Sequence, residues 1–157
     1  VTKGRPNVDY AQSDADFNGY EFEVGRSFST NNGELQISYG REEVVGTFAS
    51  GGNVPRITPI KNVYRFALEQ RDVTYDIKIM DVQKEDDIGF GESVTDGYTM
   101  VDFDIRRSIA IGSDEELILS VFGRNLMDEK ARNHTSYVKN EVPLAGRNFG
   151  IKLNFNF

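Results

Sequence analysis

The sequence contains no cysteine, no tryptophan and only one histidine among its 157 residues. Without cysteine, the chain cannot form a disulfide bond, a thiolate metal site or a cysteine nucleophile. Basic residues are also few, since 18 Lys and Arg face 25 Asp and Glu for a formal net charge of -7. Because nucleic-acid binding needs a basic surface, we expect no nucleic acid among the partners.

Long apolar runs are absent as well, since the longest ones, such as 109–111 and 117–119, have three residues. A membrane-spanning helix needs about 18 or more consecutive apolar residues, so none is expected. The first residues, Val1-Thr-Lys-Gly-Arg-Pro, include neither an initiating methionine nor an apolar signal region. We therefore expect either a processed chain or, as the preferred interpretation, a fragment of a longer protein.

Apolar and polar side chains alternate along several segments, which is the pattern of a β-strand whose two sides face different surroundings. In the clearest segment, at the C-terminus, the apolar residues are Phe149, Ile151, Leu153, Phe155 and Phe157. Val and Ile also outnumber Ala and Leu, a balance that favours strands over helices. The sequence therefore predicts an all-β fold.

Seven strands are predicted, at residues 10–26, 34–45, 60–70, 73–83, 98–110, 115–126 and 147–157. Each has about 11 residues or more, whereas a strand of a soluble protein averages about 5–6. A tilted strand needs ~9–11 residues to cross bilayer hydrocarbon. The predicted connections have 7, 14, 2, 14, 4 and 20 residues, so short and long ones alternate. Short turns at one end and long loops at the other are typical of outer-membrane barrels.

Alternation by itself is equally expected of a soluble antiparallel sheet with one face on a core. The strands are long, the two ends have connections of unequal length, and the polar face carries many charges. These features favour the interpretation of the chain as part of a membrane barrel. The alternatives are a soluble all-β ligand-binding module and a small stand-alone outer-membrane barrel. The residues predicted to face lipid are Phe149, Ile151, Leu153, Phe155, Val101, Phe103 and Ile105. Those predicted to face the lumen are Asp102, Asp104, Arg106 and Lys152.

Five segments, in this order, resemble the C-terminal barrel of TonB-dependent outer-membrane receptors. They are Asn7-Val-Asp-Tyr-Ala-Gln-Ser-Asp-Ala-Asp-Phe-Asn-Gly-Tyr-Glu-Phe-Glu, Val54-Pro-Arg-Ile-Thr-Pro, Gly97-Tyr-Thr-Met-Val-Asp, Asn125-Leu-Met-Asp-Glu-Lys and Pro143-Leu-Ala-Gly-Arg-Asn-Phe. The resemblance spans nearly the whole chain. Residues 133–149 are most similar to the subgroup that contains zinc-uptake receptors. Ala145 departs from the pattern, because the family often has a proline there.

The resemblance implies an up-and-down meander that forms part of a 22-stranded barrel, with a plug domain in its lumen. Residues 1–157 would be the C-terminal segment of this barrel, since they include neither the plug nor a TonB box. It also implies the outer membrane of a Gram-negative bacterium, and uptake of a scarce nutrient such as a siderophore or zinc. The implied partners are outer-membrane lipid, the barrel assembly machinery, TonB acting through the plug, and a small-molecule or metal-chelate substrate.

Few residues suggest chemistry of their own. His134 lies in the longest predicted loop and is a weak candidate for a metal ligand. Because a zinc site needs three or four ligands, we favour the interpretation of His134 as a solvated loop histidine. Asp102 and Asp104 share a strand face without a Ser or His beside them, so we expect neither enzymatic activity nor a cofactor. Phe157 resembles the terminal aromatic signal that the assembly machinery reads.

Because an odd number of antiparallel strands would bring parallel edges together, we expect an open, curved sheet.

Overall fold

The computed structural model describes residues 12–113 and 115–157, which form a single sheet. Its strands are β1 (Ala15–Thr30), β2 (Gly33–Phe48), β3 (Lys61–Gln70), β4 (Val73–Val82), β5 (Tyr98–Ala110), β6 (Glu116–Arg124) and β7 (Asn148–Asn156). Each strand pairs antiparallel with the next one along the chain, in the order β1 to β7. The predicted all-β meander of seven strands in one open sheet is confirmed.

The strand boundaries differ most around the first turn. Residues 10–26 and 34–45 were the expected strands, whereas β1 continues to Thr30 and β2 begins at Gly33. Arg26 occupies a position of the apolar face, and the Ser and Thr residues after it look like turn residues, so the continued alternation at Phe28 is easily missed. Residues 10 and 11 of that predicted strand, and residues 7–11 of the first resemblance segment, lie outside the described residues.

The connections divide the sheet into two unequal ends. Residues 31–32, 71–72 and 111–115 connect strands at one end, which we call the short-turn end. Residues 49–60, 83–97 and 125–147 connect them at the other, the loop end. Arg71 has a positive φ of 51°, as the tight turn at 71–72 requires. The predicted alternation of short and long connections is therefore confirmed.

No second layer covers the sheet within the described ranges. Val82 and Ala131 are the only buried apolar residues among them, while 24 large apolar side chains are exposed. The sheet is thus held by its strand ladders and cross-strand pairs, and by no enclosed hydrophobic core. Residues 12–113 and 115–157 contain one sheet and not the two packed sheets that a soluble sandwich would need.

Among residues 12–113 and 115–157, no helix has the length and the apolar composition that crossing a membrane would take.

Candidate functional site

One face of the sheet, the apolar face, carries all seven residues that the sequence predicts to meet lipid. The strand register places Ile105, Val121 and Ile151 in one row across β5, β6 and β7, and Phe103 and Phe149 in the next. Val101 lies beside Ile79 of β4 in the same way. On β7 the exposed fractions of the apolar residues Phe149, Ile151, Leu153 and Phe155 run from 50% to 72%. Their common face is observed, and their contact with lipid stays a prediction.

A glycine completes the row that holds the two phenylalanines. Gly123 lies between Phe103 and Phe149 in the register, and the ring centroids of those two residues are 6.4 Å apart. A Cβ atom at Gly123 would lie 2.5 Å from a carbon of the Phe103 ring. Because Gly123 has no side chain, the Phe103 ring lies over β6 at this position, and the row stays apolar.

The opposite face, the polar face, carries the residues predicted to face a lumen. Arg106 lies beside Ser120, which lies beside Lys152, in one row of the register.

On the same polar face, Asp102 and Asp104 have separate partners. Both Asp104 carboxylate oxygens accept hydrogen bonds from the Arg124 guanidinium at 2.8 Å. Asp102 Oδ1 accepts one from the backbone N–H of Asn125 at 2.9 Å. The two carboxylates therefore act as structural acceptors for separate donors.

A row of polar side chains crosses the apolar face near the loop end. Arg41, Asn62, Asp81 and Thr99 lie side by side on β2, β3, β4 and β5. Arg41 Nη1 donates to Asn62 Oδ1 at 3.3 Å, Asn62 Nδ2 donates to Asp81 Oδ2 at 3.5 Å, and Thr99 Oγ1 donates to Asp81 Oδ1 at 3.0 Å. These contacts form an unbroken chain over four strands.

Three further side chains extend this row. Tyr20 on β1 donates its hydroxyl proton to Glu43 at 2.6 Å, and Arg41 donates to both, at 2.8 Å and 2.7 Å. The Tyr39 hydroxyl donates to Asn62 at 2.9 Å. We call the whole set the polar belt: Tyr20, Tyr39, Arg41, Glu43, Asn62, Asp81 and Thr99. The sequence signal for it is a polar residue at an apolar-face position of these five strands, which in a single strand looks like a break in the alternation.

Two arginines interrupt the apolar face towards its other end. Arg26 and Arg107 lie on it near the short-turn end, beside Ile37 and Leu119 in the register. The Arg26 guanidinium lies 5.2 Å from the centre of the Phe28 ring. The Arg107 guanidinium donates to Asp72 in the turn at 2.9 Å. Apolar residues such as Phe28 and Ile109 follow the two arginines on the same strands, so the arginines lie within the face.

The three long loops meet around His134. Its side chain is only 2% exposed, so the expectation of a solvated histidine is wrong. Nδ1 lies 2.9 Å from Thr95 Oγ1 and 3.2 Å from Lys139 Nζ, and Nε2 lies 3.5 Å from Glu92 Oε1. Glu92 and Thr95 come from the loop at 83–97, far from His134 in sequence, and neither was singled out from the sequence.

The surroundings of His134 favour its neutral form. Burial and the positive charges of Lys139 and Arg56 lower the pKa of His134 below the usual 6.5, although the carboxylate of Glu92 opposes them. An imidazole whose Nδ1 already faces a hydroxyl and an ammonium group is poorly placed to bind a cation. No three His, Cys, Asp or Glu side chains converge on a metal site in the parts of the chain that the structure describes.

Phe157, the candidate assembly signal, follows β7 at the short-turn end. It is 96% exposed, and its ring stacks on that of Phe155 with centroids 5.8 Å apart. The side chain is therefore accessible to another molecule. Its role as a signal stays a prediction.

Comparison with known proteins identifies the fold. The solved structure of "Copper transporter OprC" matches with a TM-score of 0.74 and 20% sequence identity, over 92% of this chain. This chain spans 24% of the OprC chain, about a quarter of it. No protein-family model matches the sequence, and no curated protein matches it. At this identity the likeness concerns the fold alone, which is that of a segment of a barrel protein.

Proposed function

We propose that this chain is part of the wall of an outer-membrane β-barrel in a Gram-negative bacterium, and that the barrel takes up a metal ion or a metal chelate. The observation that carries the proposal is the apolar face: it spans the sheet, no layer in the described residues covers it, and a belt of polar side chains crosses it near the loop end from β1 to β5. A lipid bilayer is the surrounding that such a surface fits, because contiguous apolar patches on soluble monomers seldom exceed a few hundred Å².

The height of the apolar face supports this location. On β4 it runs from Asp81 in the polar belt to Val73 beside the turn, nine residues joined by eight steps. Eight steps of about 3.4 Å give about 27 Å along the strand, or roughly 20 Å along the membrane normal at a tilt near 45°. The apolar band of outer-membrane barrels is about 25 Å tall. The polar belt and its tyrosines then lie where lipid headgroups begin.

The rest of the barrel would come from outside this chain. The strands β1 and β7 are the two edges of the sheet, and each leaves a row of backbone N–H and C=O groups without a strand partner among the described residues. Such edges need further strands inside a membrane. A closed barrel of these seven strands alone is not what the structure contains, so the stand-alone barrel has no support. An eighth strand at residues 1–9 falls outside the described residues.

The substrate class rests on two likenesses. The fold is similar to that of a copper transporter, and residues 133–149 resemble zinc-uptake receptors. Metal uptake against a gradient needs energy, and the resemblance to TonB-dependent receptors supplies a source, an inner-membrane partner acting on a plug. We therefore propose TonB-dependent uptake of a metal ion or metal chelate, with lipid and the assembly machinery as further partners.

The test is made in the organism that carries the gene. Cells are fractionated to locate the protein, and their copper, zinc and iron contents are measured by mass spectrometry under metal starvation, with and without the gene. We expect the protein in the outer membrane, and a lower content of one metal in the deletion strain. A strain without TonB should show the same loss. The protein in the aqueous fraction, or unchanged metal contents, would refute the proposal.

A further inference from the structure

The three long loops are joined by contacts between residues far apart in sequence. Arg56, in the loop at 49–60, donates its backbone N–H to Glu92 at 2.8 Å, and its guanidinium lies 3.3 Å from the centre of the Tyr137 ring. Gly89 packs so closely on the first loop that a Cβ there would lie 2.6 Å from the Pro55 nitrogen. The loops at 49–60, 83–97 and 125–147 therefore form one layer at the loop end.

The centre of this layer is a buried group of polar side chains, which we call the loop cluster: Glu92, Thr95, His134 and Lys139. The Lys139 ammonium group donates to the Ser93 carbonyl oxygen, to Thr95 Oγ1 at 2.8 Å and to His134 Nδ1 at 3.2 Å. Its three protons thus have three acceptors, and the residue is only 6% exposed. Each of these bonds except the one to His134 joins two different loops.

The acceptor role of His134 depends on its charge. A neutral imidazole can accept at Nδ1, whereas a protonated one has no acceptor and carries a positive charge. Protonation would place that charge 3.2 Å from the Lys139 ammonium group, with Arg56 also near, in a site closed to water. Glu92 is the one acidic group facing the ring, and its contact with Nε2 is long, at 3.5 Å. The charged form therefore destabilises the docked layer.

We propose that protonation of His134 releases the loop at 125–147 from the other two loops, so that mild acid opens the loop layer. This goes beyond the transport proposal and requires no particular substrate. It follows from the loop cluster: the Lys139 ammonium group ties the loop at 125–147 to Ser93 and Thr95 of the loop at 83–97, and protonation of Nδ1 would place a second positive charge 3.2 Å from it.

The sign of the pH dependence follows from the binding of one proton. The docked layer lowers the pKa of His134, so the undocked layer binds the proton more strongly. Docking is therefore fully stabilised above the ordinary pKa of about 6.5, and the stabilisation is lost as pH falls from there towards the lowered value. A single linked proton changes the docking equilibrium by at most about tenfold per pH unit.

Hydrogen–deuterium exchange of the intact protein in lipid nanodiscs measures this equilibrium. Exchange is followed at about pH 7.5 and about pH 5.5, and each rate is divided by the intrinsic rate at the same pH. We expect protection of peptides from 83–97 and 125–147 to fall by up to about tenfold over this range, since only the part below about pH 6.5 contributes. Peptides from β3 serve as the internal control and should keep their protection.

Two variants separate this switch from general acid sensitivity. In His134→Asn, the amide oxygen replaces Nδ1 as an acceptor but cannot be protonated, so the loops should stay protected at both pH values. In Lys139→Met, the repelling charge is gone, so the pH dependence should shrink even if the loops are less protected throughout. Equal wild-type protection at both pH values would overturn the proposal, as would two variants that keep the wild-type pH dependence.

Discussion

Leu153 and Asn154 are neighbours in the sequence but lie on opposite faces of β7, near its centre. If the apolar face meets lipid, Leu153→Arg places a charge in lipid, at a cost that falls from ~2–4 kcal/mol at the bilayer midplane to ~0–1 kcal/mol near the interface. Asn154→Arg adds the same charge to the polar face, where water or a lumen can solvate it, and should cost little. The measurement is the folded, heat-modifiable fraction of the intact protein in the outer membrane. Equal losses from both substitutions would disprove the assignment of the faces.

At this scale the sequence predicts which residues share a face, because the parity of an alternating strand survives in the register. It does not predict what His134 contacts. The acidic residues nearest to it in sequence, Asp128, Glu129 and Glu141, are not its partners, whereas Glu92 and Thr95 lie 42 and 39 positions away. Loop packing of this kind depends on contacts that a local pattern does not contain.

The first hairpin depends on a glycine at the start of β2. A Cβ added to Gly33 would lie 1.8 Å from the backbone oxygen of Glu69 on β3, and neither strand can move without breaking its ladder. We expect Gly33→Ala to destabilise the intact protein by about 1–3 kcal/mol, as overpacking does.

The matched control for that change is Gly40→Ala on the same strand. The nearest atom to a Cβ there is the Phe22 oxygen, at an ordinary contact distance of 3.5 Å. This variant should stay within about 0.5 kcal/mol of the wild type. Urea unfolding in lipid vesicles gives both values, and equal free energies of unfolding for the two variants would contradict the close approach at Gly33.

The polar belt connects five strands at one level, and Arg41 is its centre. It donates to Tyr20, Glu43 and Asn62, so Arg41→Met leaves the Glu43 carboxylate without its cation at the edge of the apolar face. We expect a lower thermal unfolding midpoint than for Arg26→Met, which loses only its contact with an aromatic ring.

A second substitution tests whether Arg41 stabilises the protein through its contact with Glu43. Adding Glu43→Gln to Arg41→Met removes the unpaired charge, so part of the lost midpoint should return. Calorimetry of the intact protein in detergent measures these three variants and Glu43→Gln alone. If the double variant is as unstable as the sum of two independent losses, the two side chains do not act together in the belt.

The strands were more predictable than their ends and their polar interruptions. Alternation located all seven strands, and the 3.4 Å repeat made their length informative about the membrane. The belt was missed because Arg41, Asn62 and Asp81 each look like a local defect in the alternation. Only the register, which aligns them across neighbouring strands, shows that they form one line.

For the whole molecule, the sequence predicted an open sheet with unequal ends, and the structure agrees. The resemblance also implied a barrel about three times as large, which stays a prediction. The sequence pattern does not predict the geometry of the loop layer, because the contacts between the loops join residues 36 to 79 positions apart. The loops are also where a substrate would first touch such a barrel, so the least predictable part is the one nearest to specificity.

The two edges of the sheet lead to a prediction for the chain expressed alone. In the described structure, β1 and β7 each have one strand neighbour, and the apolar face has no cover. Unpaired backbone groups are costly in lipid, and in water an open strand edge pairs with other chains. Residues 1–157 by themselves should therefore form aggregates and not a stable membrane protein. Fractionation on a sucrose gradient, followed by gel electrophoresis with and without heating, tests this, with the intact protein as the control. A monomeric, heat-modifiable species of the chain in the outer membrane would show that its edges find partners within these residues, and the barrel-segment interpretation would then be wrong.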